Sequence, residues 1–137
     1  MKSMLKIYTD GGARGNPGPA AAGVAIFDEK GKLVGKYSKF LGKATNNQAE
    51  YQAVIYALEK ACELKAKKLK LFLDSEIVVQ QLNRKYKVKN SDLASLFVRI
   101  WNASQNFESI EYNHIPREEN KLADSQVNFC LDQNTKA

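Results

Sequence analysis

Apolar and polar positions alternate over Leu5-Lys6-Ile7-Tyr8-Thr9, the period of two that a half-buried strand shows. The stretch from Gly11 to Pro19 is dense in Gly and Pro and reads as a turn region, and the apolar run from Ala20 to Asp28 reads as a second strand. Glu29-Lys30-Gly31-Lys32 supplies a hairpin turn into a third strand at Leu33 to Leu41. The first third of the chain is therefore expected to be an antiparallel meander.

The period then changes. Thr45-Asn46-Asn47-Gln48 fits a capping box, Thr as N-cap and Gln three residues on. A helix is predicted to about Leu64, with Ala49, Ala53, Val54, Ala57, Leu58 and Ala61 as its apolar stripe. Lys68 to Leu73 is a short apolar strand, and Asp74-Ser75 can cap a helix running through Leu82. Arg84 to Asn90 is a basic loop, followed by a helix from Asp92 to about Asn106. Ile110 to Ile115 is the last strand and Arg117 to about Asp132 the last helix, leaving a polar tail, Gln133 to Ala137, expected to fray. Strands in a meander, then strands alternating with helices, predict an α/β protein with a mixed five-stranded sheet and helices against it. At 137 residues, with no repeat, low-complexity tract or linker, the chain is expected to be a single domain spanning 1–137.

Composition narrows the classes. The hydrophobic fraction of 44% and charged fraction of 26% are those of a globular chain. No apolar run approaches the ~18 residues of a membrane span, and Met1 to Ile7 is too short and too broken by lysine for a secretory segment. A cytoplasmic monomer with no membrane partner is the expectation. Cys62 and Cys130 lie far apart, in helical segments and outside any Cys-x-x-Cys pair, so they read as buried free thiols and not as a zinc or redox site. The net charge of +6 favours a polyanionic partner.

Within this basic chain the acids fall in telling places. Asp10 ends the first strand and Asp74 the fourth, so if those strands are parallel neighbours both carboxylates emerge at one sheet edge, where open α/β sheets bind ligands. Glu50 shares the stripe of its helix that faces the sheet, and Asp124 lies in the first half of the last helix beside Leu122-Ala123. Each also has a purely structural reading. Asp74 can be a helix N-cap, Asp10 a turn residue, and Glu50 and Asp124 favourable charges near helix N-termini. Together, carboxylates gathered in one cleft repel and need cations to stay ionised. Oxygen ligands without Cys or His point to a hard ion such as magnesium or manganese.

Four stretches carry a resemblance. They are Tyr8-Thr9-Asp10-Gly11-Gly12 with Gly15-Asn16-Pro17-Gly18-Pro19; Thr45-Asn46-Asn47-Gln48-Ala49-Glu50; Leu73-Asp74-Ser75-Glu76-Ile77-Val78-Val79; and His114-Ile115-Pro116-Arg117-Glu118-Glu119-Asn120 through Ala123-Asp124. In this order, spanning nearly the whole chain, they resemble the ribonuclease H family in its small prokaryotic type 1 form, ribonuclease HI. The resemblance implies the ribonuclease H-like fold, with strands 1–3 antiparallel and strands 1, 4 and 5 parallel. It implies a metal-dependent endoribonuclease that hydrolyses the RNA strand of an RNA–DNA hybrid, leaving 5′-phosphate and 3′-hydroxyl ends. Asp10, Glu50, Asp74 and Asp124 align with the catalytic, metal-binding carboxylates, which in the family hold two Mg2+ (or Mn2+) ions. His114 aligns with the family's loop histidine, placed to assist proton transfer or product release. Asn16, Asn47 and Gln48 resemble residues lying along the minor groove of the hybrid, and Thr45 and Asn46 residues reaching the DNA strand or its phosphates.

The chain departs from the family in three places. Arg84-Lys85-Tyr86-Lys87-Val88-Lys89 stands where some relatives carry a longer basic protrusion, Glu76 replaces a frequent Gln, and Ser125-Gln126-Val127 follows Asp124. Two other functions fit the same scaffold: a broader nuclease that also cuts double-stranded RNA, and a non-catalytic nucleic-acid-binding module. The Gly-rich loop lacks the Lys-Ser/Thr ending of a P-loop, which disfavours nucleoside triphosphate hydrolysis.

Overall fold

Strand β1 continues through the first glycines of the expected turn region, from Met4 to Ala13, and β2 begins at Gly18 and runs to Asp28. The computed structural model describes residues 4–135. Only residues 14–17 are left to the turn, where Gly15 takes a positive φ, because Gly11 stays in the strand at a close approach to α1. β3 spans Leu33–Ala44, α1 Asn46–Glu63, β4 Lys68–Leu73, α2 Glu76–Leu82, α3 Ser91–Ser104 and β5 Ser109–His114. A single 3-10 turn, Arg117–Glu119, precedes α4, Lys121–Asn134, so the last helix starts four residues later than its sequence pattern suggests.

The strands form one five-stranded sheet in the order β3-β2-β1-β4-β5. β1 pairs antiparallel with β2 and parallel with β4, and β4 pairs parallel with β5. This is the mixed sheet expected from the sequence. Pairing of β1 with β4 stops at Tyr8 opposite Phe72, so beyond that point the two chains part and leave an opening at the carboxyl edge.

Both faces are covered. Leu5, Ile7, Val24, Ile26, Leu69 and Leu71 pack beneath the α1 stripe, including Val54, Ala57, Leu58 and Ala61, and beneath Leu93, Leu96 and Ile100 of α3. On the opposite face Val127, Cys130 and Leu131 of α4 settle on Ala21. The small side chains of β2 set how close the helices come. A Cβ on Gly23 would overlap the Ala123 carbonyl of α4, and a Cβ on Gly11 would overlap the Ala49 carbonyl of α1. Two glycines thus let the helices that carry Glu50 and Asp124 touch the sheet from either side.

The capping box of α1 is formed as expected. Gln48 N–H donates to Thr45 Oγ1 at 3.1 Å and Thr45 N–H donates to Gln48 Oε1 at 2.8 Å. One expectation needs correction. Cys62 is exposed, since it sits one step round α1 from the buried Ala61, while Cys130 is buried. The segment expected to fray is helical as far as Asn134, and Thr135 Oγ1 donates to the Leu131 carbonyl at 2.6 Å. Arg14, in the turn after β1, holds this end through Asp132 at 2.7 Å. The last two residues of that expected tail lie outside the described residues.

Candidate active site

Asp10 is part of β1, opposite Gly23 of β2, and not a turn residue. Strand alternation places it on the α4 side, since Gly12, two residues on, faces Val127. Gly11 N–H, lying past the end of the β1–β4 pairing, donates to Glu50 Oε1 at 2.7 Å. Asp74 follows the last residue of β4, and its carboxylate does not cap α2: Ser75 is the N-cap and makes no side-chain capping bond. Asp74 Oδ2 instead accepts from Asn120 Nδ2 at 2.9 Å. The structural readings of Asp10 and Asp74 both fail here.

Asp10, Glu50 and Asp74 each present an oxygen within 4.8 Å of the other two. Asp124, in the first turn of α4, lines the same cleft with Arg14, Asn46, Asn47, Ser75, Arg117 and Asn128. All four carboxylates read from the sequence therefore meet in one place. Asn128 Nδ2 donates to Asp124 Oδ2 at 3.3 Å, one helical turn along. Behind the site, Tyr51 O–H donates to Gln81 Oε1 at 2.6 Å and ties α1 to α2.

The electrostatics are those of a site short of positive charge. The Asp10 carboxyl is pushed up from 3.8 to about 8, first by burial, then by the Asp74 charge and by its hydrogen bond and charge contact with Asp124. Glu50 is likewise held well above the usual carboxylate range, by burial first and by Asp10 and Asp74 next. The Gly11 N–H and the Arg117 guanidinium oppose this rise without cancelling it. The donor set, carboxylate oxygens with no sulfur or imidazole among them, fits a hard divalent cation.

The folded chain keeps a proton on Asp10 that the unfolded chain releases above 3.8, so the contribution of Asp10 to metal-free stability is fully present below 3.8 and is lost as pH rises toward about 8. A divalent cation bound by the ionised carboxylates stabilises most at the upper end of that window. Scanning calorimetry in chelator should give a melting temperature that falls between pH 5 and pH 8, and saturating Mn2+ should raise it more at pH 8. An equal Mn2+ effect at both pH values would count against the cluster as a cation site.

The other sequence-predicted residues are placed less uniformly. Asn46 and Asn47 are exposed and line the cleft. Asn16 Oδ1 accepts from the Asn46 N–H at 2.9 Å, and Asn46 Oδ1 accepts from the Ala13 N–H at 2.9 Å, joining the β1–β2 turn to the start of α1. Thr45 and Gln48 are engaged with each other in the capping box. His114 is the exposed last residue of β5, in register with Leu73, the neighbour of Asp74, and it is not among the residues lining the cleft. Residue-by-residue reading missed Arg14, Arg117, Asn120 and Asn128. Arg117 and Asn120 sit inside the His114-to-Asp124 motif, and Asn128 stands at i+4 from Asp124, the spacing that places two side chains on one helix face.

A five-stranded sheet in this order, with carboxylates clustered at its parallel edge, defines the ribonuclease H fold. The reverse transcriptase-like family model matches residues 8–130, and the chain belongs to that family. Ribonuclease HI of Halobacterium salinarum is 39% identical over 125 residues, covering 91% of this chain and 63% of that protein. A bifunctional protein of Mycobacterium tuberculosis is 37% identical over 127 residues, covering 92% of this chain and 35% of its own length. The chain thus spans less than two thirds of both proteins. Among solved structures, ribonuclease H1 from Halobacterium salinarum superposes with a TM-score of 0.93 at 38% identity, covering 95% of this chain and 98% of that one. LC11-RNase H1 in complex with an RNA/DNA hybrid superposes with a TM-score of 0.92 at 41% identity, covering 96% and 99%.

Proposed function

We propose that the chain is an endoribonuclease that hydrolyses the RNA strand of RNA–DNA hybrids with divalent metal ions, leaving 5′-phosphate and 3′-hydroxyl ends. The observation that carries this reading is the meeting of Asp10, Glu50 and Asp74 within 4.8 Å, with Asp124 on the same cleft, in a chain of net charge +6. A non-catalytic binder would gain affinity for phosphates by losing such acids. A structural neighbour at 41% identity is seen with an RNA/DNA hybrid, which supports that substrate class.

Asp10, Glu50, Asp74 and Asp124 would hold two ions, Mg2+ or Mn2+, whose charge would relieve the repulsion that keeps a proton on Asp10 in the metal-free chain. Bound there, such ions supply charge neutralisation at the scissile phosphate and activation of the attacking water. The chain's own groups do the rest. Arg117 adds a fixed positive charge beside the cluster. Asn16, Asn46 and Asn47 form a polar rim for the sugar edges and phosphates of the duplex, with Thr45 and Gln48 fixing the helix start that presents it. His114, exposed at the end of β5 and in register with the neighbour of Asp74, would serve as a proton carrier. The chain acts as a monomer in the cytoplasm in this reading. Among the described residues no helix is long and apolar enough to cross a membrane.

The test is a labelled RNA–DNA hybrid beside matched double-stranded RNA, double-stranded DNA and single-stranded RNA, each with Mg2+ or Mn2+. Cleavage confined to the RNA strand of the hybrid and lost on chelation is the expected result. Cutting of double-stranded RNA as well would mean a broader nuclease, and binding without any cutting would overturn the enzymatic reading.

A further inference from the structure

The side chain that connects the carboxylate-bearing elements is not a carboxylate. Asn120 is fully buried between the 3-10 turn and α4. Its Nδ2 donates both to the Thr9 carbonyl at 2.8 Å and to Asp74 Oδ2 at 2.9 Å. Its main-chain carbonyl accepts from the Asp124 N–H at 3.1 Å. One residue therefore touches the peptide that precedes Asp10, the Asp74 carboxylate and the backbone of Asp124, which come from β1, the end of β4 and α4.

We propose that Asn120 is a positioning residue that locks the Asp74 carboxylate and sets its spacing to Asp10 and Asp124, an inference that rests on the carboxylate cluster being the metal site of the proposed function. The chemistry of the position is restrictive. The terminal torsion of an aspartate is broad, so an unheld carboxylate rotates freely. Among the described residues Asn120 is the only side chain that hydrogen-bonds to Asp74. The group that binds a carbonyl and a carboxylate at once must be a pure donor with two protons, which an amide nitrogen is. An aspartate there would set oxygen against oxygen, and a glutamine is one methylene too long for a position with no free space around it. Asn120 Oδ1 and Thr9 Oγ1 are both buried without a hydrogen-bond partner among the described residues. A core selected for stability alone would not leave them so. The hydrogen bonds that the Asn120 side chain does make run to Asp74 and to the peptide before Asp10.

The experiment compares Mn2+ binding by titration calorimetry for the parent chain, Asn120→Ala and Asn90→Ala. Asn90 caps α3 through its Oδ1, which accepts from Asp92 N–H at 2.8 Å and Leu93 N–H at 3.1 Å, so its loss weakens the fold away from the cluster. The expected result is Mn2+ affinity lowered about 10- to 100-fold in Asn120→Ala, the usual effect of removing a partner that orients a metal ligand. Asn90→Ala should lose thermal stability and keep parental Mn2+ affinity. On hybrid, Asn120→Ala should lose kcat and hold KM, because substrate contacts lie on other residues. Parental Mn2+ affinity in Asn120→Ala, or a loss no greater than in Asn90→Ala, would overturn the inference. Should Asn120→Ala not fold, Asn120→Ser keeps a short donor, and parental Mn2+ affinity there would overturn it equally. A parent chain that binds Mn2+ but cuts no hybrid would overturn the proposed function while leaving the Mn2+ comparison intact.

Discussion

Asp10→Asn is expected to leave a folded chain whose hybrid cleavage falls by about 1,000-fold or more, the scale on which removing one electrostatic element of a reaction site acts. The substitution is nearly isosteric, so β1 keeps its pairing with Gly23 and its close approach to α1. It removes the charge at the centre of the cluster, the group pushed up to about 8 by burial and by its acidic neighbours. Metal-free stability should move the opposite way. With one repelling carboxylate gone, the variant should be more stable than the parent at pH 8 by roughly 1–3 kcal/mol, a gain absent at pH 4, where Asp10 is already protonated. Hybrid cleavage assays and calorimetric melting in chelator at both pH values measure the two halves. A variant that is inactive and also less stable at pH 8 would mean that Asp10 holds the fold together and does not strain it.

The second large effect is structural. Gly11→Ala drives a methyl group into the Ala49 carbonyl and the Glu50 peptide nitrogen, backbone atoms that cannot rotate away. Either β1 bends or the start of α1 lifts, and Glu50 moves with it because its Oε1 is held by the Gly11 N–H. Overpacking of this kind costs about 3 kcal/mol. Gly31→Ala is the contrast. At a positive φ of 87° with nothing near its Cβ, it meets backbone strain alone, about 1 kcal/mol. Urea unfolding of the two variants decides it. Similar losses at both positions would mean that α1 yields freely and that Gly11 does not set the geometry of the site.

The sequence carried what depends on a residue's own chain neighbours. The alternation at Leu5 to Thr9, the stripe of α1 and its capping box all appear as expected. So does the convergence of Asp10 and Asp74, because parallel neighbours must end at the same edge. What stayed hidden depends on distant backbone. Gly11 and Gly12 look like turn formers in a line of text, yet they lie within β1, where helices arrive from other parts of the chain. Asp74 looks like a helix cap because its partner, Asn120, lies far along the chain. Periodicity likewise could not separate the 3-10 turn at Arg117–Glu119 from the α-helix that follows, since the two differ by one hydrogen-bond offset.

The opposed facing of Asp10 and Gly11 also limits how this chain can change in length. Losing or gaining one residue before Asp10 in β1 would swap every side chain between the two faces. A gained residue would drive the carboxylate against the Ala49 carbonyl, where only a hydrogen fits. The connection at 29–32 bears no such parity, so drift in length can accumulate there, whereas the turn at 14–17 is tied to α1 through Asn16 and to α4 through Arg14. Descendants of this sequence are free to lengthen the hairpin between β2 and β3, while the register of β1 at Asp10 stays frozen.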